Sequence, residues 1–208
     1  MTISATTQGL KPGVCTSSNR PANPFDGMMI YETDTNLVRI WNGTAWRTLS
    51  YSDYTSGSVI QVASATKTDS FTTTSTSYVD ITGLSVSMSP TSTSSKVLIS
   101  YTVSGQGVVA TNMGFLQIVR DSTAIGNGVG SGSRPGIGSA LPELSNFVFG
   151  MASSSYLDSP NTTSSTTYKI QVRSNTTGTV YINRSITDTD SAVIPRTTSS
   201  ITVMEIAG

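Results

Sequence analysis

No stretch of this 208-residue chain repeats its apolar side chains at the 3.6-residue period of a helix; they come in short runs separated by turn residues. The run "KVLISYTV" shows the pattern. Val97, Ile99, Tyr101 and Val103 share one face while Lys96, Ser100 and Thr102 share the other, as a strand with one wet side requires. Comparable runs lie at 58–64, 77–89 (long enough for two strands), 114–121, 147–158, 167–174, 178–185 and 199–208. Eight or nine strands in about 150 residues predict an all-β chain, with an antiparallel sandwich or jelly roll over residues 59–208.

The front of the chain reads differently. Residues 1–27 are punctuated by Pro12, Gly13, Pro21 and Pro24 and are expected to form an extended arm without a core. Residues 28–50 carry three β-prone runs, "MMIYE", "LVRIW" and "WRTL", joined by "TDTN" and "NGTA", and predict a three-stranded meander. Asn42-Gly43 is a hairpin signal that leaves two registers open. A two-residue loop sets Arg39 opposite Trp46; a four-residue loop sets Trp41 opposite Trp46 and Val38 opposite Leu49. A polar stretch, residues 51–58, is the expected linker.

A meander of about twenty residues is marginal in water without something to pack on. Copies from neighbouring chains are the expected cover, with Tyr31, Trp41 and Trp46 at the contact. The final strand points the same way. Ile201 and Val203 alternate with Met204 and Ile206, so both faces want burial, and the four residues are expected near a subunit interface. The run "FLQIVR" repeats the pattern, with Phe115 and Val119 alternating with Leu116 and Ile118.

Composition narrows the function classes. Twelve Lys plus Arg balance twelve Asp plus Glu without clustering, which gives no footprint for nucleic acid or anionic lipid. The opening "MTISATTQGLKPGV" lacks a basic start and apolar core, and no run is long enough to span a bilayer, so a soluble, unprocessed chain is expected. The chain has no His, which removes Ser-His-Asp and Cys-His triads and the usual neutral-pH base. Its one Cys, Cys15, then reads as a small packed side chain. About a third of the residues are Ser or Thr, a polar-faced β composition rather than that of a charged disordered tail.

Several features admit a functional and a plain reading. Trp41 and Trp46, with Asp34 and Asn36 nearby, have the chemistry of a saccharide platform, but a meander this small has no other hydrophobic mass, so a structural role is expected. "TDTD", 187–190, offers Asp188 and Asp190 to a cation or to acid/base work, yet lacks a third ligand or a defining spacing. The segment 126–145 is Gly-rich without a phosphate-binding fingerprint; it reads as a surface loop, with Arg134, Pro135 and Ile137 as a candidate host-facing tip. Sequons at Asn42, Asn161, Asn175 and Asn183 follow from the Ser/Thr content. The sequence assigns no catalytic residue, cofactor or metal.

The stretch "SNRPANPFDGMMIYETDTNLVRIWNGTAW" resembles a motif recurrent in structural proteins of tailed bacteriophages, carried here by Pro21, Gly27, Tyr31, Thr33, Asp34, Asn36, Trp41, Asn42, Gly43 and Trp46. The remainder looks like the jelly-roll domain of phage head-decoration, tail-fibre and knob proteins, similar in plan to tumour-necrosis-factor-like trimers. The resemblance implies a non-enzymatic homotrimer on the virion surface, assembled in the host bacterial cytoplasm. The expectation drawn from it is a capsid decoration (cement) protein that grips the major capsid protein through Leu10, Pro12, Val14, Arg20, Pro21 and Phe25 of its arm. The alternative is a tail-fibre or receptor-binding tip contacting host saccharide.

Overall fold

The computed structural model describes residues 12–49, 55–107, 112–144 and 148–208. The chain divides into two compact units, Met1–Tyr54 and Thr55–Gly208, both built of strands. The residue between them at which the chain divides falls inside the expected linker, of which 51–54 lie outside the described residues.

The first unit is a four-stranded sheet in the order β1 (Gly13–Cys15), β2 (Met29–Glu32), β3 (Leu37–Trp41), β4 (Trp46–Thr48). The three expected strands are present, and a fourth comes from the arm. Gly13–Cys15 pairs in parallel with β2, Val14 opposite Tyr31, so this part of the segment is sheet and not a free extension. A single 3-10 turn, Ser17–Asn19, follows. Periodicity could not reveal β1, because a three-residue strand beside prolines has no pattern of its own.

The hairpin takes the four-residue loop. Trp41 faces Trp46, and the Leu49 amide donates to the Val38 carbonyl at 2.8 Å. The Asn42 side chain accepts from the Thr44 and Ala45 amides at 3.1 and 2.9 Å, and only Gly43, at φ 91°, takes the left-handed conformation. A two-residue type I′ turn would need it at both positions.

The second unit is an antiparallel sandwich of jelly-roll character. Its strands are β5 (Val59–Lys67), β6 (Phe71–Thr73), β7 (Val79–Met88), β8 (Lys96–Gly107), β9 (Gly114–Arg120), β10 (Thr123–Ile125), β11 (Ser139–Leu141), β12 (Gly150–Asp158), β13 (Thr166–Ser174), β14 (Val180–Ile182) and β15 (Ser199–Ile206). One sheet runs β10-β9-β13-β7 with β11 on β9; the other runs β5-β15-β8-β14-β6 with β12 on β8. Residues 79–88 form one strand rather than two, since a register shift in its pairing with β13 lets it continue.

Alternation places the core between the sheets. Ile81, Leu84, Val97, Ile99, Val103, Leu116, Ile118, Ile170, Val172, Ile201 and Val203 are all buried there. Ile201 and Val203 are therefore fully enclosed by their own chain and are not available to a neighbour, which corrects their place among the contact residues. Met204 and Ile206 lie on the opposite face, half-buried. Phe115 and Val119 likewise turn outward from Leu116 and Ile118, alongside Gln117.

Asp158 closes the open edge between the sheets. It ends β12, accepts from Arg120 Nη1 at 2.9 and 3.0 Å, and accepts from the Tyr168 hydroxyl at 2.9 Å, so one carboxylate ties the larger sheet to β9 and β13 of the other. Burial, reinforced by this carboxylate, raises the Tyr168 phenol above its ordinary range. Removing Asp158 leaves a buried hydroxyl and a guanidinium without their acceptor. Asp158→Ala is expected to cost about 2–4 kcal/mol in urea unfolding of the full chain, while Asp158→Asn, which keeps one acceptor, costs less.

Candidate functional site

The four-stranded sheet is held by one buried carboxylate. Glu32, at the end of β2, is inaccessible to solvent although it belongs to a small unit. Arg20 reaches back to its Oε1, Arg39 Nε donates to Oε2 at 3.1 Å, and Thr35 Oγ1 donates to Oε2 at 2.8 Å. The hydrogen bond from Arg20 leads in holding its carboxyl at about 2; burial opposes, and Thr35 and Arg39 add to the lowering. A second tie runs beside it, where the Ser17 amide donates to Asp34 Oδ1 at 2.9 Å and the Ser17 hydroxyl donates to Oδ2. Asn36, at φ 55°, completes the "TDTN" turn.

These ties decide which face of the sheet the chain covers for itself. Strand pairing puts Ile30, Glu32, Leu37, Arg39, Trp41, Trp46 and Thr48 on one face. Ile30 and Glu32 are buried, and Arg20 lies over Glu32. Trp41 and Trp46 meet edge to face on this side, centroids 5.6 Å apart and planes at 62°, each half-buried.

The opposite face carries Val14, Met29, Tyr31, Val38, Ile40 and Leu49, with Arg47 on the edge strand. None of the six is buried; Val14 and Leu49 are 53% and 56% exposed. Tyr31 thus lies across the sheet from both tryptophans, and the three aromatic residues do not form one patch. Met29, Tyr31, Val38 and Ile40 on this face are half-buried, as are Leu37, Trp41 and Trp46 on the other, so among the described residues Val14 and Leu49 are its exposed apolar positions. Residues 1–69 match the model of a family described as the phage tail like trimerisation region.

That match takes in the whole first unit and β5 of the second. No curated protein sequence matches the chain. Among solved structures, similar chains occur in the infectious bursal disease virus Gx strain (TM-score 0.38, 13% identity) and Gt strain (TM-score 0.40, 12% identity). They cover 80% and 81% of this chain, which spans only 45% and 42% of theirs.

The other residues singled out from sequence are placed as follows. Leu10 lies outside the described residues. Arg20 is committed to Glu32 and Val14 to β1, while Phe25 is 67% exposed and Pro12 and Pro21 are half-buried. The Gly-rich segment is folded, contrary to the expectation of a plain loop. The Gly128 amide donates to the Ile137 carbonyl at 3.1 Å, Ser131 and Arg134 bridge at the tip, and β11 returns onto β9. A Cβ on Gly136 would stand 1.9 Å from the Gly128 carbonyl oxygen, so glycine is what permits this hairpin. Arg134 and Pro135 are exposed at its tip and Ile137 is half-buried in its stem.

Asp188 does not act as an open carboxylate. Arg196 grips it through Nε at 3.1 Å and Nη2 at 2.7 Å, and Arg184 Nη1 stands 3.4 Å away. Asp190 shares a polar pocket of about 350 Å³ with Asp188, Thr189, Ser191, Ile194 and Arg196. Among the described residues no three metal-ligating side chains gather. Asn183, read as a sequon, is buried and donates to the Lys67 and Asp69 carbonyls, both at 2.9 Å.

Glu32 makes the first unit pH-sensitive in a defined direction. Its folded carboxyl titrates below the ordinary value, so its stabilising effect is complete above about 4.5 and is lost as pH falls towards about 2. Both tryptophans of the chain lie in this unit, so their fluorescence reports on it alone. Lowering the pH through that window is expected to red-shift the emission at a fixed urea concentration, and Glu32→Gln to flatten the dependence while weakening the unit at neutral pH.

Proposed function

We propose that this chain is a homotrimeric, non-enzymatic structural protein of a phage virion, in which the N-terminal sheet joins the subunits and the sandwich is the displayed module. The observation that supports the reading is the incompletely buried apolar face of Val14, Met29, Tyr31, Val38, Ile40 and Leu49, with Val14 and Leu49 more than half exposed, within the segment that matches a trimerisation region. Closed threefold symmetry lets one small face be satisfied by two copies of itself, which answers the marginal stability of so small a sheet. The contact is assigned to this face, with Tyr31; Trp41 and Trp46, half-buried on the other, pack against each other.

Placement on the tail is favoured over placement on the capsid. The matching family is described by its printed name as tail-like, and the arm proposed to grip a capsid is partly engaged by its own sheet, through Gly13–Cys15, Ser17 and Arg20. Decoration of the capsid through residues 1–11 and the exposed Phe25 is the second reading, favoured by that side chain's 67% exposure. In the tail reading the tip of the 128–137 hairpin, with Arg134 and Pro135, is a surface offered to host saccharide.

Light scattering of the full chain is expected to give three times the 21.8 kDa subunit mass. Val14→Lys with Leu49→Lys, both at exposed positions, is expected to yield a monomer with unchanged β circular dichroism; a wild-type monomer overturns the assembly reading. A few trimers per particle, located at the tail by labelled antibody, support tail placement, whereas hundreds of copies on the head support decoration.

A further inference from the structure

The larger sheet of the sandwich has an outer face whose composition is graded along the strands. Register brings Val62 of β5 beside Met204 of β15, Met204 beside Leu98 of β8, and Leu98 beside Leu157 of β12. One cross-strand row on four adjacent strands is thus wholly apolar. Ile206 and Val59, paired with each other, extend it at one end. Val59, Val62 and Leu157 are 50%, 57% and 53% exposed, and the other three are half-buried. The next rows change character: Ser64, Thr202, Ser100 and Ser155, then Thr66, Ser200, Thr102 and Ser153.

We propose that this face is a second self-association surface, occupied by the sandwich of another copy of the same chain. The proposal rests on the trimeric reading above and names where, beyond the N-terminal sheet, the copies meet. Isolated exposed apolar residues are ordinary on soluble proteins, but a contiguous apolar row marks an interaction surface. Side-chain contacts across strands make it a flat, preformed patch rather than a collection of loops.

Three observations identify the occupant. First, the match to a trimerisation region does not stop with the N-terminal sheet; it runs to residue 69 and includes all of β5, with Val59 and Val62. Secondly, these strands place no carboxylate on the outer face. Glu205 points inward, where burial works against its charge but hydrogen bonds from Gln61 and Thr91 hold its carboxyl below the ordinary value. The one cation on the face, Lys96, already donates to Ser159 Oγ at 2.8 Å. Such a face offers nothing to nucleic acid or to a strongly charged protein, and copies brought together by symmetry meet there without like-charge repulsion. Thirdly, only residues 49–58 separate β4 from β5 in the sequence, so copies joined at the N-terminal sheet hold their sandwiches at roughly millimolar effective concentration. A modest apolar patch then suffices.

The test is made on the full chain. Val62→Lys with Leu157→Lys changes two exposed positions and leaves the core untouched. Val129→Lys with Val193→Lys changes two equally apolar positions, 99% and 78% exposed, away from both sheets' faces. The first pair is expected to raise the concentration at which the trimer dissociates by about tenfold or more and to lower its melting midpoint, with the second pair matching wild type. A trimer whose dissociation and melting are the same in V62K/L157K as in wild type overturns the proposal. If V14K/L49K nevertheless dissociates that trimer, the N-terminal contact stands without this one. A wild-type chain that is monomeric at every concentration overturns both.

Discussion

The first unit depends on the Glu32 carboxylate and the two guanidiniums that enclose it. A charged group out of contact with water is tolerated only when its lone pairs are taken up, and here Arg20, Arg39 and Thr35 take them. Arg20 can reach Glu32 only if the chain between β1 and β2 turns back across the sheet. The same interaction that neutralises a buried charge therefore folds part of the supposed arm onto the Glu32 face, while Val14 and Leu49 on the other stay more than half exposed. Everything proposed about assembly through this unit follows from that difference between the faces.

A similar asymmetry governs the sandwich. Its two sheets supply each other's cover, and the alternation of β8, β9, β13 and β15 sends Val97, Ile99, Leu116, Ile118, Ile170, Val172, Ile201 and Val203 into the shared core. The outward faces then receive whatever the pattern leaves. On the smaller sheet this is a polar ladder, in which Lys169 and Gln171 both donate to Asp80 and Gln117 donates to Gln171. Arg173 on the same face lies over the Phe115 and Tyr78 rings at 4.7 and 5.4 Å. On the larger sheet it is a row of apolar side chains in which, among the described residues, Val62 and Leu157 stand more than half exposed.

Much of this was legible in residue order. The strands of the meander, the long sandwich strands and the inward residues of "KVLISYTV" follow from period-two alternation alone. The short strands Gly13–Cys15, Phe71–Thr73, Thr123–Ile125 and Ser139–Leu141 were not, because each carries a single large apolar side chain and follows no Asn-Gly turn signal such as the Asn42-Gly43 that marks Trp46–Thr48. Nor was the paired hairpin inside the Gly-rich segment, where glycine permits close backbone approach but specifies no partner. The apolar pattern of β15 reads as a demand for burial on both faces, and the structure meets it on one. Which half of it the chain itself meets, Ile201 with Val203, needed the second sheet to be in place.

Composition and short-range order are enough to require an all-β chain, a hairpin shared by Trp41 and Trp46, and chemistry without a histidine base. Those properties depend on composition and on neighbours a few residues apart. Pairing of distant strands is needed to put Tyr31 on the face opposite the tryptophans, to close Arg20 over Glu32, and to bring Val62, Met204, Leu98 and Leu157 into one row. Each of these depends on strand register, and a shift of one residue exchanges the two faces of a strand. Local sequence fixes which residues alternate; pairing between distant segments fixes which alternating set meets water.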